Sequence, residues 1–216
     1  TLWEGQLLMG LEPSDGVGET AKIIEKIDLD EIRSDLAEVL ENKSLTSDEN
    51  RPDAVGRRRK TNQRTARENI EKLVDPGSFI EYGPLVVAAQ RQRRGLEDLL
   101  TRSPADGLIT GVGKINGDLF DETAAGTAIM AYDYTVFAGT QGVHNHWKTD
   151  RLLDVSEQGR MPMIVFAEGG GGRPGDTDYG GFVGQNTFHH FGQLSGLVPL
   201  ISIVSGRCFA GNAALL

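Results

Sequence analysis

Apolar positions change their spacing several times along this chain, and each change marks an element. From Ile23 to Leu40 the apolar residues Ile24, Ile27, Ile32, Leu36, Val39 and Leu40 recur at helical intervals. That predicts a helix with one apolar stripe and a solvated acidic face. Residues 1–20 mix apolar residues with Pro, Gly and Asp and read as loop or linker; residues 41–56 are polar and also read as linker. A second helix is expected from about Arg58 to Val74, stopped by Asp75-Pro76-Gly77. Strand-like segments follow: SFIEYG, GLITGVGKING and FDETAAGTAIMAYD. GLITGVGKINGDLF reads as a hairpin with Asn116-Gly117 as its tight turn. The stretch Gly142–Gly159 is helical in pattern, and so is Phe182–Leu197. Each leads into a short, wholly apolar run, MIVFAE and LISIVS, expected as buried strands. Strand, helix and strand at this spacing predict crossover units in an α/β layer.

Both apolar runs end in turns dense in small residues: MPMIVFAEGGGGRPGD over residues 161–176, and LVPLISIVSGRCFAGNAALL over 197–216. Glycine lets a backbone N–H face a site with no side chain in the way. Two such turns facing each other would make a two-donor oxyanion hole, the device of an enzyme that polarises a carbonyl or thioester and stabilises an enolate. A flexible surface loop is the plainer reading of EGGGG, since glycine clusters are common in loops. The position at the end of a buried strand, where α/β ligand sites form, favours the site. GRCFAGNAALL reads as strand, turn and a helix start at about Ala210, whose first N–H groups lack internal partners and sit at the positive end of the helix dipole.

Composition narrows the class. Glycine is 28 of 216 residues, about twice the usual share. From Glu168 to Gly184, eight of seventeen residues are glycine, in a non-repeating context. No run of about 20 apolar residues is present, which predicts no membrane span. The first residue is Thr1, and the chain stops at Leu216 inside an apolar segment, so it reads as a piece of a longer polypeptide. The net charge of −9 resides in residues 1–50, with thirteen acidic and four basic side chains; residues 51–216 hold eighteen of each. Nothing there suits nucleic acid. The single cysteine, Cys208, rules out an internal disulfide and suits a reducing cytoplasm.

Other motifs carry less. Residues 168–176 lack the lysine of a P-loop, and GVGKING lacks dinucleotide-fingerprint spacing. Cys208, between Arg207 and Phe209, reads as packing ahead of a nucleophile. The histidines form two pairs, His144/His146 and His189/His190, with no carboxylate or Cys at ligand spacing, so no metal is expected. The basic run Arg57–Lys60, with Arg64 and Arg67, reads as a solvated helix face, or else as a contact for the phosphates of a nucleotide-bearing ligand.

Five segments in one order resemble a known family. They are RTARENIEKLVDPGSFIEYG, ADGLITGVGKING, DYTVFAGTQG, MPMIVFAEGGGGR and LVPLISIVSGRCFAGNAAL. Together they are similar to the carboxyltransferase domain of biotin-dependent acyl-CoA carboxylases, a branch of the crotonase superfamily. The resemblance covers about residues 57–216 and implies the N-terminal half of a crotonase-like ββα spiral in the α/β class. Residues 1–56 then form an acidic extension or linker with one helix. The family's Ser-Gly-Gly-Ala-Arg is Gly169-Gly170-Gly171-Gly172-Arg173 here, and Ala210-Gly211-Asn212 stands where Gly-Gly-Ala is usual.

What the resemblance implies can be stated residue by residue. Gly170 and Gly171 would be backbone oxyanion donors, opposed by Ala210 and Gly211. Arg173, Lys148, Gly169 and Phe209 would line the substrate. The substrate is an acyl-CoA, and the cofactor is biotin, arriving as carboxybiotin on a carrier domain. ATP and Mg are needed only at the partner biotin carboxylase. Homo-oligomerisation as a hexamer, a trimer of dimers, is implied too. Two alternatives stay open. One is a crotonase-type decarboxylase or hydratase using Glu168 or Asp176 as acid or base. The other is a non-catalytic CoA-ester-binding subunit, which the acidic segment favours.

Overall fold

The computed structural model describes residues 30–179 and 186–216. The loop expected over 1–20, the first turns of the helix expected over 23–40 and the start of that expected over 182–197 lie outside the described residues. The described chain begins with α1 (Ser34–Ser44), then α2 (Pro52–Lys60) and α3 (Ala66–Glu71). The stretch expected as linker is therefore largely helical, because Pro52 sits at the first helical position, where its missing N–H costs nothing. The single helix expected over 58–74 is two helices. Asn62 takes a left-handed φ of 56° and ends the first. Thr65 and Glu68 open the second as a reciprocal capping box, with Glu68 N–H donating to Thr65 Oγ1 (3.1 Å) and Thr65 N–H donating to Glu68 Oε2 (2.9 Å).

One mixed sheet of five strands follows in the order β1 (Ile80–Tyr82), β2 (Leu108–Lys114), β3 (Gly126–Tyr132), β4 (Met163–Gly170) and β5 (Leu200–Phe209). The helix α4 (Leu96–Arg102) lies between β1 and β2 in the chain. β1, β2 and β3 pair antiparallel; β3, β4 and β5 run parallel. The expected tight hairpin is a longer return. Asn116 and Gly117 do turn, with their N–H groups donating to the Asp75 carboxylate at 3.1 and 2.7 Å. The chain then adds the single turn α5 (Glu122–Ala125), capped by Asp121, and pairing resumes at Gly126 opposite Lys114.

The helix α6 (Val143–Gly159) crosses from β3 to β4, and α7 (Thr187–Leu194) lies between β4 and β5 in the chain. Side chains on β2, β3 and β4 alternate between the faces as a pleated sheet requires. Leu108, Met130, Tyr132, Met163, Val165 and Ala167 pack with Leu152 and Leu153 of α6 and Leu194 of α7. Ile109, Ile129, Ile164 and Phe166 pack on the other face against Ala66 and Ile70 of α3. All eight residues of β4 are buried, as a central parallel strand demands.

LISIVS, expected to be buried, is not. β5 is the sheet's edge among the described residues, and Ile201, Ile203, Val204 and Phe209 are exposed. Ala210 itself takes a left-handed φ of 52°, and a helical turn begins just after it: Ala214 N–H donates to the Ala210 carbonyl at 3.2 Å, and Ala213–Leu215 forms a 3-10 turn.

Candidate active site

The two glycine-rich turns emerge side by side. Gly169 pairs with Cys208 and Gly170 with Phe209 at the carboxyl ends of β4 and β5. Just before that, β5 carries two more residues than β4: Ala167 opposes Val204 and Gly169 opposes Cys208. This bulge wraps a buried ion pair. Arg58 of α2 grips Glu168 with both arms, at 2.7 and 2.8 Å, and both side chains are almost wholly buried. A Cβ on Gly206 would run into the Glu168 carboxylate, and Gln63 Nε2 donates to the Ser205 carbonyl at 2.8 Å. The pair thus fixes where β4 ends and its turn begins.

The turn itself needs glycine. Gly169, Gly170 and Gly171 have φ of 71°, 138° and 85°, a region that L side chains rarely adopt. A Cβ on Gly169 would overlap the Ala138 carbonyl, and one on Gly170 the Phe209 carbonyl; nothing stands near a Cβ on Gly171. Asn212 is buried and ties the two turns from beneath. Its Nδ2 donates to the carbonyls of Glu168 (2.7 Å) and Gly139 (3.0 Å). Among the described residues, no hydrogen bond is made by the N–H of Gly171 or of Gly211. The arrangement therefore presents backbone donors from two turns, held by a rigid floor, which is what an oxyanion hole requires.

Gly170, Gly171, Ala210 and Gly211 are thus brought together, with Gly169 one step beneath and the exposed Phe209 beside them. Arg173 and Lys148 are placed differently. The Arg173 guanidinium is buried and bonded to the Asp106 carboxylate, to the Thr140 carbonyl at 2.7 Å and over the Phe137 ring at 5.0 Å. With its donors spent inside the protein, it braces the turn rather than meeting a ligand. Lys148 is buried on α6, and its Nζ donates to the carbonyls of Ala105 (2.9 Å) and Leu108. Burial lowers its amine to about 8, against partial opposition from Glu81 and Asp106. It lines an apolar groove of about 400 Å³ with Tyr82, His144 and Trp147 rather than the turns.

The carboxylates that could serve a hydratase are both committed. Glu168 is held by Arg58, and Asp176 accepts from Val143 N–H (3.2 Å) and Gln90 Nε2 (3.1 Å). Burial, with Glu168 adding to it, raises the Cys208 thiol, which opposes a thiolate nucleophile. His144 meets the Val87 carbonyl and Tyr179, and His146 meets Thr187. The basic run is divided: Arg57, Arg59, Lys60 and Arg64 are exposed, as a solvated face requires, whereas Arg58 is the buried partner of Glu168 and Arg67 pairs with Glu81.

Three residues of the site carried no signal as functional groups. Arg58 was hidden in a charge run, Asn212 looked like a departure from a small residue, and Gln141 was one unremarked letter in DYTVFAGTQG. Only the fold brings them to the turns.

Comparison with known proteins gives a consistent pattern. A family model described as "Carboxyl transferase domain" matches residues 57–215. The chain is 34% identical over 178 residues to the biotin-dependent long chain acyl-coenzyme A carboxylase beta4 subunit of Mycobacterium tuberculosis, covering 82% of this chain and 31% of that one. It is 31% identical over 180 residues to the mitochondrial propionyl-CoA carboxylase beta chain of Homo sapiens, again 81% of this chain and 31% of the relative. The chain therefore spans about a third of the length of these curated relatives. Among solved structures, a single-chain, multi-domain long-chain acyl-CoA carboxylase aligns at 56% identity and TM-score 0.80, over 86% of this chain and 18% of that one. Transcarboxylase 12S, with methylmalonyl-coenzyme A bound, aligns at 25% identity and TM-score 0.65, over 87% and 34%.

Proposed function

The chain belongs to the carboxyl transferase domain family, with a carboxyltransferase fold of the crotonase-like class, and from that premise we propose that it is the acyl-CoA-binding half of the carboxyltransferase of a biotin-dependent acyl-CoA carboxylase. Residues 57–216 form that half, and residues 1–56 are an extension to it. The observation that carries the reading is the direct pairing of the two turns, Gly169 with Cys208 and Gly170 with Phe209, at the ends of parallel strands.

The thioester oxygen sits between the turns. N–H groups of Gly170 and Gly171 on one side, and of Ala210 and Gly211 on the other, donate to it as it takes negative charge. Such donors act most strongly where they are already oriented and shielded from water. Here the orientation comes from the Arg58–Glu168 pair, Asn212 and the braced Arg173. When bound, carboxybiotin would supply the carboxyl group as CO₂ and then a basic ureido nitrogen to take the α-proton. The residues of this chain fit that division of labour, because both carboxylates flanking the first turn are held in other bonds.

Names of relatives support an acyl-CoA substrate and dependence on biotin. Partners in this reading are a biotin carboxyl carrier and a biotin carboxylase, the latter using ATP and Mg. A homo-hexamer built as a trimer of dimers follows the hexamer assembly described for transcarboxylase 12S. The single cysteine accords with a cytoplasmic site. The hydratase alternative loses its acid or base in the Arg58–Glu168 pair. The experiment is direct: supply the full-length protein with carboxybiotin and propionyl-CoA or a long-chain acyl-CoA, and separately with an enoyl-CoA. Carboxylated acyl-CoA without hydration supports the reading; hydration without carboxylation defeats it.

A further inference from the structure

We propose that Gln141 sets the gap between the two turns and is thereby a positioning residue for the thioester oxygen. The proposal rests on the acyl-CoA reading above. The β4–β5 ladder ends at Gly170 and Phe209, so it does not by itself fix Gly171 or Gly211, which lie past the last pair. Gln141 reaches both. Its backbone clamps the first turn: Gln141 N–H donates to the Gly171 carbonyl and Arg173 N–H donates to the Gln141 carbonyl, each at 2.8 Å, as a parallel bridge opposite Gly172. Its buried side chain meets the second turn. The Gln141 Oε1 stands against Gly211 so closely that a Cβ there would overlap it.

The amide is not free to swing. Gln141 Nε2 donates to the Tyr132 hydroxyl at 3.0 Å, and Tyr132 is buried at the end of β3. Burial pushes that phenol up to about 12, so it remains a neutral acceptor across any working pH. A chain of contacts therefore runs from the sheet through Tyr132 and Gln141 to Gly211, while the Gln141 backbone holds Gly171. Shortening the side chain lets Gly211 move inward. Replacing the amide by an apolar group of the same length removes the anchor but keeps the bulk. Because Gln141 acts through the turns, it should matter for the carbonyl and not for the rest of the CoA.

The test uses the full-length protein and its Gln141→Ala, Gln141→Met and Tyr132→Phe variants, each checked for folding by thermal melting. Three quantities are measured: kcat and KM for acyl-CoA carboxylation, and Kd for an alkyl-CoA thioether, which lacks the thioester carbonyl. The expected result for Gln141→Ala is a kcat lower by about ten- to hundredfold, the size of effect that a misplacement near 1 Å produces. Thioether affinity should stay within about twofold, since the thioether offers the turns no thioester oxygen to hold. Gln141→Met and Tyr132→Phe should fall between this variant and the parent, and they carry the test if Gln141→Ala does not fold. Parental kcat in the folded variants overturns the proposal. So does a loss of kcat matched by an equal loss of thioether affinity, which would mark a merely structural role. If the parent itself carboxylates no acyl-CoA, the acyl-CoA reading falls and takes this assignment with it.

Discussion

Gly170 and Gly171 are neighbours that should respond differently to a side chain. A methyl on Gly170 meets the Phe209 carbonyl at once, whereas one on Gly171 meets open space at an unfavourable φ of 85°. Gly170→Ala should therefore shift the turn and lower carboxylation by about 10²–10³, the usual cost of losing an oxyanion donor. Gly171→Ala should fold, lose about 1–2 kcal/mol from its left-handed backbone, and keep most of its turnover. Urea unfolding with kcat on both variants checks this; equal damage from the two would mean that the turn is not held against β5. Ala210 already bears such strain at φ 52°, beside the proposed site, where strained backbone concentrates.

Lys148 makes a second residue-scale prediction. Burial sets its folded amine at about 8, below the ordinary 10.5. The unfolded chain therefore binds more protons between those values, and stability from this group rises with pH across that window. Below pH 8 the full penalty stands, on the order of 3 kcal/mol. Urea midpoints at pH 8 and pH 10 should show the rise in the parent and a smaller one in Lys148→Met. Parallel profiles would place the amine in water instead.

At the scale of elements, the bulge of β5 around Arg58 and Glu168 ties α2 to the sheet. Arg58→Met should cost about 3–5 kcal/mol, because it leaves a buried carboxylate without its partner. Adding Glu168→Gln should recover a good part of that, since the uncompensated charge is then gone. Urea unfolding of the single and double variants decides; additive losses would contradict coupling. Elements with strong local signals were legible in sequence: α6 by its period, β4 by its apolar run, the end of the β2 turn by Asn116-Gly117. The split between α2 and α3 was also written in Thr65-x-x-Glu68, though the longer helical pattern masked it. At Ala210 the small residues signalled a turn before helical structure but not its hand: Ala210 is left-handed, and the helical turn opens one step later. Arg58 was illegible because its partner lies 110 positions away.

At the scale of the molecule, β5 leaves Ile201, Ile203, Val204 and Phe209 open along an edge that no strand of the described residues pairs. An apolar edge strand is a template for pairing with another chain. The 216-residue chain alone should self-associate with rising concentration, and Ile203→Lys should suppress this; a sedimentation profile independent of concentration would contradict it. The family was legible only through the order of five motifs, since no single glycine turn specifies a reaction. What sequence could not show was the floor beneath those turns, which is made of Arg58, Gln141 and Asn212 from three distant segments.

Paired turns that hold a thioester oxygen during carboxyl transfer can be tested by following labelled bicarbonate into acid-stable acyl-CoA with the full-length, biotin-charged protein and its Gly170→Ala variant. The parent should incorporate label, and the folded variant should lose about 10²–10³ of that incorporation. Equal incorporation by both, or none by the parent with any acyl-CoA, would contradict this.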